Sequence, residues 1–185
     1  MRKLKTTEMN RLTIDEFKTA PKIPLVIVLD NVRSQNNIGS VFRTADAFRV
    51  EAIYLCGITA TPPHREINKT ALGSTDSVHW KYFPETPAAI ELLHNEDHIV
   101  LGVEQTNTST PLHLFHTQKE KKYALIFGNE VNGLDEALIP LLDGSIEIPQ
   151  YGTKHSLNIS VAAGIVIWDF FLNLKTFSEE NETIL

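Results

Sequence analysis

An α/β fold with a mainly parallel sheet is predicted by two features of this 185-residue sequence. Apolar, β-branched runs recur along the chain and stay hydrophobic without alternation, as strands buried on both faces do. Between them stand segments whose apolar residues repeat at helical spacing, and strand–helix alternation marks a parallel sheet with flanking helices.

The elements follow in order. Residues 1–20 read as a polar N-terminal arm, and the first strand is expected at 24–29 (PLVIVL). In the segment after it Ile38, Val41, Phe42, Ala45 and Phe48 share one helical face, while Asn36, Ser40, Arg43 and Ala47 share another. A second strand is expected at 52–55 (AIYL), then a helix after Pro87 with Ala88, Leu92 and Leu93 on its apolar side. Further strands are expected at 98–103 (HIVLGV), 123–127 (YALIF) and 145–148 (SIEI), each bounded by Asp, Gly, Asn or Pro. Segment 156–174 is long and apolar nearly all round, as a deeply buried helix or one packed against a second subunit would be. Residues 21–177 read as one domain and 178–185 as a flexible tail.

Seventeen Lys and Arg stand against 23 Asp and Glu, a net charge of −6, which excludes a chain-wide cationic coat for nucleic acid. Local basic patches remain: Arg2, Lys3, Lys5 and Arg11 in the arm, and Lys119, Lys121 and Lys122 before the 123–127 strand. The one cysteine, Cys56, can form neither an internal disulfide nor a multi-thiolate metal site; it reads as core in a reducing compartment. His113 and His116 are read as structural, and no metal is expected. No apolar run approaches the roughly 20 residues that span a bilayer, since the longest, 161–172, is interrupted by Asp169. The N-terminal cations have no apolar segment behind them, so no membrane contact and a cytoplasmic location are expected.

Three polar clusters sit at strand ends, where open α/β sheets bind ligands. The first, 30–46, presents Arg43; the expectation is a guanidinium held one turn from a helix N-terminus, suited to a phosphate or a developing oxyanion. The second, FGNEVNGL, places Gly128, Asn129, Glu130, Asn132 and Gly133 directly after a strand. Leu134 and Asp135 stand where a P-loop needs Lys and Ser or Thr, and GxGxxG is lacking, so Walker and conventional dinucleotide sites are disfavoured. What remains is a tight turn whose backbone can approach a small ligand, with Glu130 free to orient it or to hold an arginine. The third, IPQYGTKHSLNIS, carries His155, Ser156 and Asn158; adjacent His155 and Ser156 project apart and no acid completes a triad, which excludes serine hydrolase chemistry. Ser156 or Asn158 is a good helix N-cap.

The three clusters, in this order, resemble the signature motifs of the SpoU (TrmH-like) branch of the SPOUT RNA methyltransferases. Asn37-Ile38-Gly39 with Arg43-Thr44-Ala45 resembles the first motif, and Ile126-Phe127-Gly128-Asn129-Glu130 with Gly133-Leu134 the second. Ile148-Pro149, Gly152 and Ser156-Leu157-Asn158-Ile159-Ser160 resemble the third, so the match spans 37–160. The resemblance implies a homodimer with a C-terminal trefoil knot that uses S-adenosylmethionine to methylate a ribose 2′-hydroxyl in structured RNA. It further implies Arg43 as the catalytic arginine, with Asn37, Glu130, Ser156 and Asn158 around it. The cofactor would lie on Phe127, Gly128, Asn129 and Gly133, and on Ile148, Pro149, Gly152, Ser156 and Leu157.

Three departures from the family pattern stand out: Asn36 where Pro is usual, Gln150 where Met is usual, and Arg49 where Gly serves a left-handed cap, so that either the cap differs or Arg49 is strained. With about 20 residues before the first strand, no separate RNA-recruiting domain is expected there, which favours tRNA over rRNA as substrate. The alternatives are an rRNA methyltransferase, a non-catalytic RNA-binding protein on the same fold, and a small-molecule enzyme using a nucleotide cofactor.

Overall fold

The computed structural model describes residues 1–5, 8–9 and 11–176. Seven strands form one sheet: β1 (Ile23–Asp30), β2 (Val50–Cys56), β3 (His79–Phe83), β4 (His98–Val103), β5 (Thr110–Pro111), β6 (Lys122–Phe127) and β7 (Gly144–Glu147). Their order is β3-β2-β1-β6-β4-β7-β5 and every pair is parallel. Among the described residues there are six α-helices: α1 (Ile14–Thr19), α2 (Gln35–Ala47), α3 (Arg65–Ala71), α4 (Ser74–Ser77), α5 (Thr86–Asn95) and α6 (Ile159–Leu174).

Continuous hydrophobicity in the strands is explained by two cores, one on each face of the sheet. Leu25, Ile27 and Leu29 of β1 pack with α2 and α6, while Val26 and Val28 pack with Ala89, Ile90 and Leu93 of α5. The expected apolar side is met in part: Leu93 is buried, but Ala88 is exposed and Leu92 only half-buried, and Ala89 and Ile90 complete the face. Cys56 is core as expected, and burial pushes its thiol up to about 12, where no reactive thiolate forms.

Helix α2 starts at Ser34, whose side chain accepts the N–H of Asn37 at 3.3 Å, and buries Ile38, Val41, Phe42 and Ala45 as the periodicity requires. Its Gly39 meets α3 backbone to backbone: a Cβ there would lie 2.2 Å from the Ile67 carbonyl oxygen. The arm is not all irregular, since Thr13 and Glu16 cap each other reciprocally and start α1, which docks through buried Phe17. Strand β3 and helices α3 and α4 were not expected. β3 is an edge strand whose HWKYF sequence is half exposed, and the helices are too short to show periodicity. Helix α6 begins three residues later than the expected 156, with Asn158 as N-cap. The expected tail, 178–185, lies outside the described residues.

Arg49 resolves the choice left by the missing glycine: it takes φ +50°, the left-handed conformation itself. A side chain there costs about 1–2 kcal/mol. Burial and then the Arg49 charge also push the neighbouring Lys22 ammonium down. Arg49→Gly is therefore expected to stabilise the fold by about 1 kcal/mol, read as a melting temperature raised by roughly 2–4 °C. An unchanged or lower melting temperature would mean that contacts of the Arg49 side chain outweigh the backbone relief.

Candidate active site

Parallel sheets collect ligand-binding loops at the carboxyl ends of their strands, above all where the strand order reverses. Here β1 leads outward through β2 to β3, while β6 and β4 fill the other side, so the loops after β1 and β6 meet. The meeting point is Glu130. Its Oε2 accepts the N–H of Arg33 at 3.0 Å; its Oε1 accepts the N–H of Ser34 and the Nδ2–H of Asn37, both at 3.0 Å. Asn37 Oδ1 accepts in turn from Asn158 Nδ2 at 3.2 Å. Asn158 Oδ1 caps α6 through the Ser160 N–H at 2.9 Å. One hydrogen-bonded line therefore joins all three sequence clusters.

Burial pushes the Glu130 carboxyl up, but the donors of Arg33, Ser34 and Asn37 outweigh it and hold the group below the ordinary carboxylate range. A carboxyl with a depressed folded pKa contributes stability above its unfolded value and loses it as the pH falls through the folded one. The melting-temperature gap between wild type and Glu130→Gln is accordingly expected to be full at neutral pH. It should close on acidification below about pH 4. A gap independent of pH would refute the charge-based anchoring.

The loop after β6 folds back on itself. Asn129 and Gly133 exchange backbone hydrogen bonds at 2.9 and 3.0 Å, and Asn129 Oδ1 accepts the N–H groups of Val131 and Asn132. Gly133 sits at φ +69°, and a Cβ on Gly128 would lie 2.0 Å from the Gly133 carbonyl carbon. Gly128 is thus required by close backbone approach and Gly133 by its left-handed backbone, as the turn-like sequence suggested.

Beside this turn lies a cavity of about 500 Å³. Of the expected cofactor residues, Phe127, Gly128, Asn129, Gly133, Ile148, Ser156 and Leu157 line it, and so do Glu130 and Asn158. Pro149 and Gly152 do not; they belong to the same loop but stand away from the cavity wall. Asn37 reaches the site through Glu130 and Asn158. Arg43 is exposed on α2 outside the lining, about 9 Å along the helix axis from Asn37. It is the ninth residue of that helix rather than one turn from its start, so the helix N-terminus lends it nothing.

Sequence reasoning overlooked Glu104, Gln105 and Glu147, which also line the cavity. The available signal was position at a strand end, unaccompanied here by glycine. Among the described residues the lining holds three carboxylates, Glu104, Glu130 and Glu147, and neither Lys nor Arg. The volume fits a ligand of cofactor size, the glycine turn lets backbone approach it closely, and the charge favours a cation.

Fold and site together define a parallel α/β protein with a small-molecule cavity at the switch point of its sheet and a polar network on one rim. Within that class the chain belongs to the SpoU rRNA Methylase family, whose model matches residues 24–168. It is 29% identical over 163 residues to the tRNA (guanosine(18)-2'-O)-methyltransferase of Thermus thermophilus, covering 88% of this chain and 82% of that protein. It is 31% identical over 158 residues to the 23S rRNA (guanosine(2553)-2'-O)-methyltransferase RlmP of Bacillus subtilis, covering 83% of this chain and 59% of that one. The AdoMet-bound rRNA methyltransferase of Sinorhizobium meliloti superposes with a TM-score of 0.76 at 27% identity, over 88% of this chain and 60% of that chain.

Proposed function

We propose that this chain transfers a methyl group from S-adenosylmethionine to a ribose 2′-hydroxyl of structured RNA, with tRNA as the substrate. The observation that carries the reading is the Glu130–Asn37–Asn158 line beside a cavity free of Lys and Arg. It joins the three matching motifs in space and suits a positively charged methyl donor. The Thermus tRNA enzyme, 82% covered by this chain, supports tRNA. The Bacillus enzyme, acting on 23S rRNA at slightly higher identity, keeps rRNA as the second reading.

The cofactor, when bound, supplies an activated methyl on a sulfonium, so the protein needs chiefly to orient. Gly128, Asn129 and Gly133 would hold it by backbone on one side, Ile148 and Leu157 by apolar contact on the other, with Phe127 and Ser156 beside them. Pro149 and Gly152 act by shaping their loop. Glu130 and Asn158 fix Asn37 through both ends of its amide and so tie the first motif to the cavity rim. Arg43 is the catalytic residue: a guanidinium stays protonated, so it clamps phosphate and steadies the developing alkoxide rather than acting as a base.

The working form in this reading is a homodimer with a trefoil knot in its C-terminal half, in the cytoplasm. Val161, Ile165, Trp168 and Leu172 leave an exposed apolar stripe along α6, each 40–51% accessible, which a second copy would cover. No helix among the described residues is long and apolar enough to cross a membrane. Incubation with methyl-labelled S-adenosylmethionine and unmodified tRNA or rRNA, followed by mapping of 2′-O-methyl positions, tests the reading. Label in tRNA is expected, label in rRNA alone moves the substrate, and label in neither refutes the proposal.

A further inference from the structure

We propose that Glu104 reads the adenosyl sugar, its carboxylate accepting the two ribose hydroxyls of the bound methyl donor. The inference rests on the S-adenosylmethionine reading above and deepens it. Glu104 directly follows β4 and faces the cavity. Its N–H donates to the Ile146 carbonyl at 3.0 Å, continuing the β4–β7 pairing by one residue. Its Oε1 accepts the N–H of Gln105 at 2.9 Å and its Oε2 the N–H of Leu134 at 3.0 Å. An ionised carboxylate has about four acceptor positions, so one on each oxygen remains, and a vicinal diol offers two donors to match them. An acidic side chain near a strand's carboxyl end plays this part for the ribose of dinucleotides.

Sheet order assigns the sugar to this end of the cavity. β6 lies between β1 and β4, so the turn after β6 has two flanks. On the β1 flank stands Glu130 with Arg33, Ser34 and Asn37, the side to which the proposed function assigns methyl delivery. On the β4 flank stands Glu104, so a donor with its sulfur at the first flank extends its nucleoside toward the second. Glu147, the other carboxylate there, makes no side-chain hydrogen bond among the described residues, whereas two amides hold Glu104 in place. Gly133 permits the approach, since a Cβ there would lie 2.2 Å from Glu104 Oε2. Preorganised acceptors lose little entropy when a ligand arrives.

Calorimetric titration of S-adenosylhomocysteine and its 2′-deoxy and 3′-deoxy analogues into wild type, Glu104→Gln and Glu104→Ala tests the assignment. Removing a hydroxyl is expected to weaken wild-type binding by about tenfold or more, as for a hydrogen bond to a charged group. In Glu104→Ala the same removal should cost less than about twofold, because the partner is already gone. Glu104→Gln keeps an acceptor for the Leu134 N–H but not for that of Gln105, so its ligand-free melting temperature should fall less than that of Glu104→Ala, while its deoxy penalties shrink. Equal penalties in all three proteins, or none in wild type, would overturn the assignment and leave the cofactor reading intact. A wild type that binds none of the three compounds overturns both.

Discussion

Arg43→Ala is expected to lower methyl transfer by about 10²–10³-fold or more, the usual cost of removing a donor aimed at developing negative charge. Affinity for S-adenosylmethionine should stay within about twofold of wild type. The second half of the expectation is structural: Arg43 is exposed on α2, outside the cavity lining, and has no ion pair among the described residues. Its distance from the cavity of its own chain also suits action on the cavity of the partner in a dimer. Kinetics of methyl incorporation and calorimetric titration of the cofactor check the two halves separately. A loss of cofactor affinity beyond about tenfold, more than 1.4 kcal/mol, would remove Arg43 from the role assigned to it.

Gly128→Ala should fail in the opposite way, through the cofactor. The added Cβ would lie 2.0, 2.1 and 2.2 Å from Gly133 C, Gly133 O and Leu134 N, all backbone atoms that no rotamer can move. The Asn129–Gly133 hydrogen bonds must open, and the cavity wall goes with them. Forced overpacking of this kind costs about 1–3 kcal/mol, or a melting temperature lowered by roughly 2–12 °C. Cofactor affinity should fall by about a hundredfold, as several backbone contacts are lost together. Gly152→Ala is the matched comparison for fold stability, since its added Cβ meets nothing within 4 Å. If Arg43 works across the interface, mixing the Arg43→Ala and Gly128→Ala chains restores part of the activity in hybrid dimers. A mixture as inactive as its parts would confine Arg43 to its own subunit.

Legibility followed sequence distance. β1 and β6 could be read from composition because a strand covered on both faces must be apolar throughout, and the stripe of α2 could be read because it faces one core. β3 escaped because an edge strand carries His79, Lys81 and Tyr82 toward solvent, which resembles a loop. At the site, the turn after β6 was legible from its own glycines. The grouping of Glu130 with Asn37 was legible only through the family resemblance, and its hold on the Arg33 and Ser34 amides not at all, because these bonds span 93–97 positions and depend on β1 and β6 lying side by side. Arg43 was legible as exposed but misplaced along its helix, because the start of α2 depends on Ser34, one of several polar residues able to cap it. Glu104 carries only the weak mark of a strand end; the sheet order is what brings it against Gly133.

The absence of fixed positive charge from the cavity wall makes it a filter between molecules that share a nucleoside. A triphosphate or a dinucleotide would bring its anions against Glu104, Glu130 and Glu147 and be repelled, whereas an adenosyl group bearing a positive sulfur is drawn inward. The same repulsion acts on a polynucleotide. Its phosphates would be kept out of the cavity, leaving exposed cations such as Arg43 on α2 to meet them.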